Sequence, residues 1–247
     1  MKGTEKPKWT RAFGNEIGRL FQGIREIEVT KTCFFINKNE APKGSKVTYS
    51  RKVCNIRPRK TKTHRVPLIV AGDKLSYEGP VSTPTADLTT SKLHWKSVMS
   101  TSDGKYLIVD VKNFYLKNSM NKAEYLKIAI KILLQEIINT YDLLRKQYEG
   151  YIYVIIEKGM YGMVQAVIIA QDALKEHLKP YGYAQENITQ SLWTHTDRYI
   201  NFTLVVDDFR IKYTHKKYAD HLISSLQSKY EVTQEWTGGL YCRIKLK

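Results

Sequence analysis

The chain has 247 residues, of which 42% are hydrophobic and 11% aromatic, so it can bury a core and wholesale disorder is excluded. Lysine and arginine number 40 against 24 acidic residues, and the net charge of +16 predicts a polyanionic partner, either nucleic acid or an anionic membrane surface. No apolar run approaches the roughly 20 residues of a membrane span, and residues 1–10 lack the apolar stretch of a signal peptide. Three widely spaced cysteines exclude a disulfide scaffold and a CxxC metal site. These features favour a nucleic-acid-binding protein of a reducing compartment.

The positive charge is concentrated in one segment. No acidic residue occurs between Glu40 and Asp73, whereas nine bases do: Lys43, Lys46, Arg51, Lys52, Arg57, Arg59, Lys60, Lys62 and Arg65. The β-branched and apolar residues of 47–53 and 68–70 predict strands, with 57–62 as a loop because Pro58 disfavours helix before it. Arg57, Arg59, Lys60 and Lys62 are therefore candidate contacts to a phosphate backbone. The alternative is a solvated basic loop or a nuclear-import-like signal.

The remaining elements follow in chain order. Residues 88–100 predict a helix with Leu88, Leu93, Trp95 and Met99 partly buried, and 105–111 predict a strand. Helical spacing over 124–147 predicts a second helix, followed by a strand at 151–156 and a helix at 165–178. A β-hairpin is expected over 201–213, a helix over 219–229, and strands at 230–234 and 240–246 joined through Gly238 and Gly239. Helices interleaved with hairpins favour an α+β fold over a doubly wound sheet.

Two adjacent aspartates lie at the tip of the expected hairpin. Asp favours turns, so Asp207 and Asp208 are compatible with a plain surface turn. However, apolar residues flank them on both strands, and a third acid, Asp110, ends another apolar strand. If these strands are neighbours, three carboxylates converge, as a two-metal site for phosphoryl transfer requires. Such a cluster beside a basic surface favours an enzyme that acts on a polyanion.

Three motifs stand in order: Asp-Val-Lys-Asn-Phe-Tyr-Leu at 110–116, Lys-Gly-Met-Tyr-Gly-Met-Val-Gln-Ala at 158–166, and Leu-Val-Val-Asp-Asp at 204–208. Together they resemble the palm of a reverse transcriptase, and they are most similar to the copia type of LTR retrotransposon polyprotein. The resemblance covers residues 45–246. It implies an N-terminal segment of weak resemblance (1–44), a fingers-like basic region (45–104) and a palm-like region (105–247), with an antiparallel palm sheet packed on helices and no thumb.

The resemblance also implies roles for individual residues. Asp110 and Asp207 would bind two Mg²⁺ ions (Mn²⁺ being possible) with help from the Val111 carbonyl, and Asp208 would be a less direct third acid. Tyr115 would exclude a ribose 2′-OH, although a core aromatic is the alternative. The nucleotide-binding set would be completed by the amides of Asn113 and Phe114, by Gln165 and by Arg65, and Trp236 would lie near the primer end.

Some positions depart from the family pattern. Pro67 stands where an arginine is expected, Val205 replaces a tyrosine, and Val167 follows Gln165-Ala166 where Pro or Gly is usual. Arg210 and Arg243 occupy positions where small residues are expected, and bulk at Arg210 is tolerable only if that side of the hairpin faces solvent. This pattern is typical of drift in an old copy. The chain is also expected to be a polyprotein fragment or a free-standing remnant, because it ends before a thumb and contains no protease, integrase or RNase H part.

The resulting prediction is RNA-dependent DNA synthesis from deoxynucleoside triphosphates on an RNA template with a DNA primer, without membrane association. The parent element would supply integrase, RNase H and thumb, and the location would be cytoplasmic, in a virus-like particle, or nuclear. A catalytically inactive or domesticated nucleic-acid-binding remnant is the second hypothesis, supported by Pro67, Arg210 and Arg243. A basic structural protein of a ribonucleoprotein is a third, but it leaves the three aspartates without a role.

Overall fold

A computed structural model gives the fold and describes residues 4–58, 62–75, 77–80, 82–236, 240–241 and 244–245. The helices are α1 (Lys6–Leu20), α2 (Leu88–Met99), α3 (Gln135–Thr140), α4 (Leu143–Lys146), α5 (Val164–Leu178) and α6 (Lys216–Gln227). The strands are β1 (Cys33–Ile36), β2 (Val47–Lys52), β3 (Asn55–Ile56), β4 (His64–Arg65), β5 (Leu68–Val70), β6 (Lys105–Val111), β7 (Ser119–Ala129), β8 (Tyr151–Lys158), β9 (Tyr183–Gln185), β10 (Leu192–His195), β11 (Ile200–Val205), β12 (Asp208–Tyr213), β13 (Val232–Glu235), β14 (Leu240–Tyr241) and β15 (Ile244–Lys245). The predicted α+β class is confirmed. Within the described residues, no helix is both long and apolar enough to cross a bilayer.

The chain packs into two units. The first contains Met1–Val81 and Tyr115–Ala170, and the second contains Ser82–Phe114 and Gln171–Lys247. These packing boundaries differ from residues 44 and 104, which separate the segments that the resemblance implies. The fingers-like and palm-like assignment stays a prediction.

A five-stranded sheet forms the centre of the first unit. Its strand order is β1-β8-β7-β2-β5, in which β2 pairs parallel to β7 and the other neighbours are antiparallel. Alternate side chains of β8, namely Ile152, Val154 and Ile156, are fully buried, as expected for a strand with one face on a core. Phe21, just beyond α1, stacks on Phe35 of β1 at 4.1 Å between ring centroids. The first unit therefore has its own core between α1 and the sheet.

A six-stranded antiparallel sheet forms the second unit. Its order is β13-β6-β12-β11-β10-β9. One face carries a row of aromatic rings: the Trp193 ring stacks on Phe202 at 5.4 Å between centroids, and the Phe209 ring lies tilted to Phe202 at 5.2 Å. These three residues are fully buried. Because strand side chains alternate between faces, residues 208, 210 and 212 of β12 lie on the opposite face.

Two sequence-based predictions were wrong in part. The expected helix over 124–147 begins as strand β7, in which Leu126 and Ile128 are buried with period two, and only α3 and α4 are helical. Helix α2 forms as predicted and Trp95 is half-buried as expected, but Leu88, Leu93 and Met99 are exposed. The buried residues of this helix are Ser91, His94 and Val98. At the end of the chain, the described residues of the expected strand 240–246 form two short strands, β14 and β15, that pair antiparallel. Gly238 and Gly239 lie outside the described residues.

The second unit contains three histidines whose surroundings disfavour the protonated form. Burial lowers the pKa of His94, His195 and His221. The guanidinium of Arg198 contacts the His195 ring and lowers the pKa of both His195 and His221 further. The pKa of histidine in the unfolded chain is about 6.5. Below that pH, the unfolded chain therefore binds more protons than the folded unit does.

We expect the stability of the second unit to be complete above pH ~6.5 and to be lost as the pH falls through the depressed pKa values of these histidines. Urea unfolding followed by circular dichroism between neutral and mildly acidic pH measures this loss. Arg198→Gln should reduce the pH dependence, because it removes a positive charge beside His195 and His221. A variant with an unchanged pH dependence would contradict the role of Arg198.

Candidate active site

The three aspartates lie at one end of the six-stranded sheet. Asp110 of β6 is the register partner of Asp208 at the start of β12. The backbone N–H of Val111 donates to the Asp207 carbonyl at 3.1 Å, which fixes the hairpin tip against the end of β6. Cα partners in an antiparallel pair lie about 4.5–5.5 Å apart with side chains on the same face. The expectation that β6 and the Asp207-Asp208 hairpin are neighbours is therefore met.

The alternating pattern of β6 sets the direction of Asp110. Leu107, Val109 and Val111 are buried, whereas Asp110 is half-buried on the opposite face. On its other side, β6 pairs with β13, and Thr233 is the register partner of Asp110. The carboxylate therefore lies between two neighbouring strands on the polar face of the sheet.

The hairpin tip has an unusual backbone. Val205 and Asp208 are register partners, so Val206 and Asp207 form a two-residue turn. Val206 has φ of 63°, a conformation that a β-branched residue adopts at a cost of about 1–3 kcal/mol. In two-residue hairpin turns this position usually holds glycine. Strain is therefore stored beside Asp207.

Val206→Gly is expected to stabilise the second unit by about 1 kcal/mol, because relief of the strain exceeds the added entropy of the unfolded chain. Guanidinium unfolding measures the change. Val205→Gly is the matched control: Val205 is the last residue of β11, where it still pairs with β12, and glycine there should destabilise by about 0.5–1 kcal/mol. Equal losses of stability in the two variants would argue against strain at Val206.

The bulk of Arg210 was expected to be tolerable only if its side of the hairpin faced solvent, and this condition is not met. The residue is only 9% exposed and lies in the sheet with Ile108 and Thr203 as register partners. Its guanidinium Nη2 donates to Asp208 Oδ2 at 3.1 Å. A buried guanidinium needs an anionic partner, and Asp208, two residues earlier on the same face, supplies one. The sequence did contain a signal for this pair, namely the i, i+2 spacing of opposite charges on a strand.

The donor set has the chemistry that Mg²⁺ prefers, since carboxylate oxygens are hard ligands. Asp110 and Asp208 present such oxygens from directly opposed positions, and Asp207 is adjacent. Throughout the described part of the chain, however, no group of three or more His, Cys, Asp or Glu side chains is arranged to hold a metal ion. The donor type fits a divalent ion, but the side chains do not form a complete ligand cage.

The residues after Asp110 divide between the two units. In the second unit, Asn113 is buried with φ of 56°, which asparagine tolerates better than most residues, and the buried Phe114 ring lies 5.9 Å from Tyr230. In the first unit, Tyr115 is buried with its ring edge-on to Tyr161 at 6.2 Å. This packing is what the core-aromatic alternative for Tyr115 requires. Its role in sugar selection stays a prediction.

Gln165 of the first unit is the second residue of helix α5 and is buried. Its side-chain amide donates to Glu124 Oε1 at 3.3 Å, a contact that the sequence did not indicate. Burial raises the pKa of the Glu124 carboxyl. Gln165 therefore has a structural partner within its own unit, and its contact with a nucleotide stays a prediction.

Of the basic candidates in the first unit, Arg57, Lys62 and Arg65 lie on or beside the small β3–β4 ladder. The Arg65 guanidinium lies 5.2 Å from the centre of the Tyr161 ring, and Arg57 donates to the Lys62 carbonyl at 3.3 Å. Burial lowers the pKa of Arg57, and the charges of Arg65 and Arg19 lower it further. Lys62 is exposed. Mutually repelling cations of this kind favour an anion nearby. Arg59 and Lys60 lie outside the described residues.

Trp236 lies at the end of β13 in the second unit and is 38% exposed. The Lys216 ammonium lies 4.9 Å from its ring, and Tyr213 meets it edge-on at 6.1 Å. These contacts hold the ring at the surface. Its contact with the primer stays a prediction, and so do the contacts of the other site residues with their ligands. Arg243 lies outside the described residues.

The chain matches no protein-family model and no curated protein. Among solved structures, it is similar to a foamy viral protease-reverse transcriptase in complex with double-stranded DNA, at 12% sequence identity and a TM-score of 0.41. The similarity covers 76% of this chain and 26% of that chain. The present chain therefore spans about a quarter of the length of that protein.

Proposed function

We propose that the chain carries out template-directed DNA synthesis as a copia-type reverse transcriptase in retrotransposon replication. The observation that supports this proposal is the register that sets Asp110 opposite Asp208 and bonds Val111 to the backbone of Asp207. This register brings Asp110, which begins the first motif, close to Asp207 and Asp208, which end the third, at one end of one sheet. Clustered carboxylates are the ligand type that phosphoryl transfer with divalent ions requires.

The proposed reaction joins a deoxynucleotide to a primer. The primer 3′-OH oxygen attacks the α-phosphorus. The bond between the α-phosphorus and the oxygen that bridges it to the β-phosphorus breaks, and pyrophosphate leaves with that oxygen. Asp110 and Asp207 would hold two Mg²⁺ or Mn²⁺ ions with the Val111 carbonyl, and Asp208 would assist. When bound, these ions neutralise charge on the attacking and leaving oxygens.

Other residues would bind and orient the substrates. The backbone amides of Asn113 and Phe114 would face the triphosphate, and Arg65 would neutralise part of its charge. Gln165 would contact the incoming nucleotide, and Tyr115 would exclude ribonucleotides by steric contact at the 2′ position. The net charge of +16 supports an RNA template and a DNA primer as partners, with Arg57, Arg59, Lys60 and Lys62 along the phosphates and Trp236 near the primer end.

Extension of a DNA primer on an RNA template, with Mg²⁺ and deoxynucleotides, tests the proposal. Extension should require the template, and ribonucleotides should be poor substrates. If the folded chain binds an RNA–DNA hybrid but extends no primer with Mg²⁺ or Mn²⁺, the proposed reaction is refuted.

A second candidate function is nucleic-acid binding without catalysis, as in a domesticated remnant. The ion pair between Arg210 and Asp208 favours it, because this pair engages an oxygen of a predicted catalytic carboxylate. Fluorescence anisotropy with an RNA–DNA hybrid distinguishes the two functions: the remnant should bind with a steep salt dependence in the absence of divalent ions and of extension.

A further inference from the structure

Asp110, Asp207 and Asp208 form the acidic end of the six-stranded sheet, and the positive charge of Arg210 lies beside it. Asp208, Arg210 and Lys212 alternate along β12 and so share one face. The Arg210 side chain is 10% exposed, against 37% for Asp208, so Arg210 is the more buried partner of this ion pair. Lys212, the next residue on this face, instead donates to Ser97 of α2 at 3.2 Å. Of the two cations, Arg210 is therefore the one bonded to the acidic end.

The carboxylates need a counter-charge whether or not a metal is present. Like charges directly opposite each other on neighbouring strands destabilise a sheet, and Asp110 and Asp208 are such a pair. A divalent ion would relieve this repulsion, and so would a guanidinium. Arg210 is covalently attached two residues away, which gives its charge a high effective concentration at Asp208.

A second hydrogen-bond acceptor lies on the strand next to Arg210. Thr203, the register partner of Arg210 on β11, is fully buried, and its hydroxyl has no hydrogen-bond partner in the described part of the chain. A hydroxyl oxygen can accept from a guanidinium. Thr203 is therefore a candidate acceptor for a guanidinium that is displaced from Asp208.

We propose that Arg210 is a built-in counter-cation that competes with divalent metal for Asp208. In the metal-free protein it neutralises the carboxylate and stabilises the sheet end, and a metal that binds through Asp208 must displace it. Arg210 thereby lowers the metal affinity of this end of the sheet and makes its stability independent of metal. The inference rests on the proposed function only in taking the aspartates as the metal ligands.

Mn²⁺ titration of the full chain, without nucleic acid or nucleotide, tests the competition by calorimetry. Arg210→Met should tighten Mn²⁺ binding by about 5-fold to 150-fold, the usual range for two coupled binding events. It should also lower the midpoint of thermal unfolding in EDTA, with recovery on addition of Mn²⁺. Lys212→Met is the matched control, because it removes a charge from the same face without touching Asp208, and it should leave Mn²⁺ binding unchanged.

Arg210→Gln is the second variant, since it removes the charge but keeps a hydrogen-bond donor and so protects the fold. If either folded Arg210 variant binds Mn²⁺ no more tightly than the wild type, or if neither binds it, the counter-cation role is refuted. Tighter Mn²⁺ binding without primer extension would support this role while counting against the polymerase function. The two proposals therefore fail on separate measurements.

Discussion

Asp110→Asn and Asp207→Asn are each expected to lower Mg²⁺-dependent primer extension by about 10³-fold or more. The amide keeps the size of the side chain but removes the charge that would hold the metal ions, and the loss of several kcal/mol of transition-state stabilisation corresponds to such a factor. Steady-state incorporation of a single deoxynucleotide on an RNA template measures the effect. Asp208→Asn should have a smaller effect, because the resemblance assigns Asp208 a less direct role.

Asp103→Asn is the matched control for these variants. Asp103 is an exposed acid just before β6, and its φ of 57° is one that asparagine adopts readily. The Asp103→Asn variant should extend a primer at the wild-type rate. The role of the aspartates would be refuted if Asp110→Asn, folded as judged by circular dichroism, retained an extension rate within a few-fold of wild type.

Trp193→Ala is expected to cost about 3–5 kcal/mol of the stability of the second unit. Trp193 is fully buried, and its ring stacks on Phe202 in the row that continues to Phe209. Truncation removes this contact and leaves a cavity in the sheet that carries Asp110 and Asp207. Urea unfolding by circular dichroism measures the loss.

Trp193→Phe separates the effect of volume from that of hydrogen bonding. In the described part of the chain, the indole Nε1 has no hydrogen-bond partner, so phenylalanine loses only part of the packing. Trp193→Phe is expected to lower the free energy of unfolding of the second unit by about 1–2 kcal/mol. If the alanine variant lost less than the phenylalanine variant, the aromatic row would not be the main support of this sheet.

Elements with a strong local pattern were predictable. The Asp207-Asp208 hairpin follows from period-two alternation, strand β6 from its short apolar run, and helix α5 from its helical spacing. Strand β7 was missed because apolar residues that follow it, in two short helices, complete a helical pattern across 124–147. The orientation of α2 was missed because its packed face consists of Ser91, His94 and Val98 rather than of its larger apolar residues.

The sequence by itself determined the mixed composition of helices and hairpins, the positive charge of 41–72 and the order of the three motifs, because each of these is a local property. Only the tertiary structure decided that Asp110 is paired with Asp208, residues far apart in the chain whose register depends on the assembly of the whole sheet. It also decided that Arg210 is buried against Asp208, since burial depends on the neighbouring strands and not on the residue. The positive charge of Arg210 is thus paired with Asp208 at the end of the sheet where the aspartates lie.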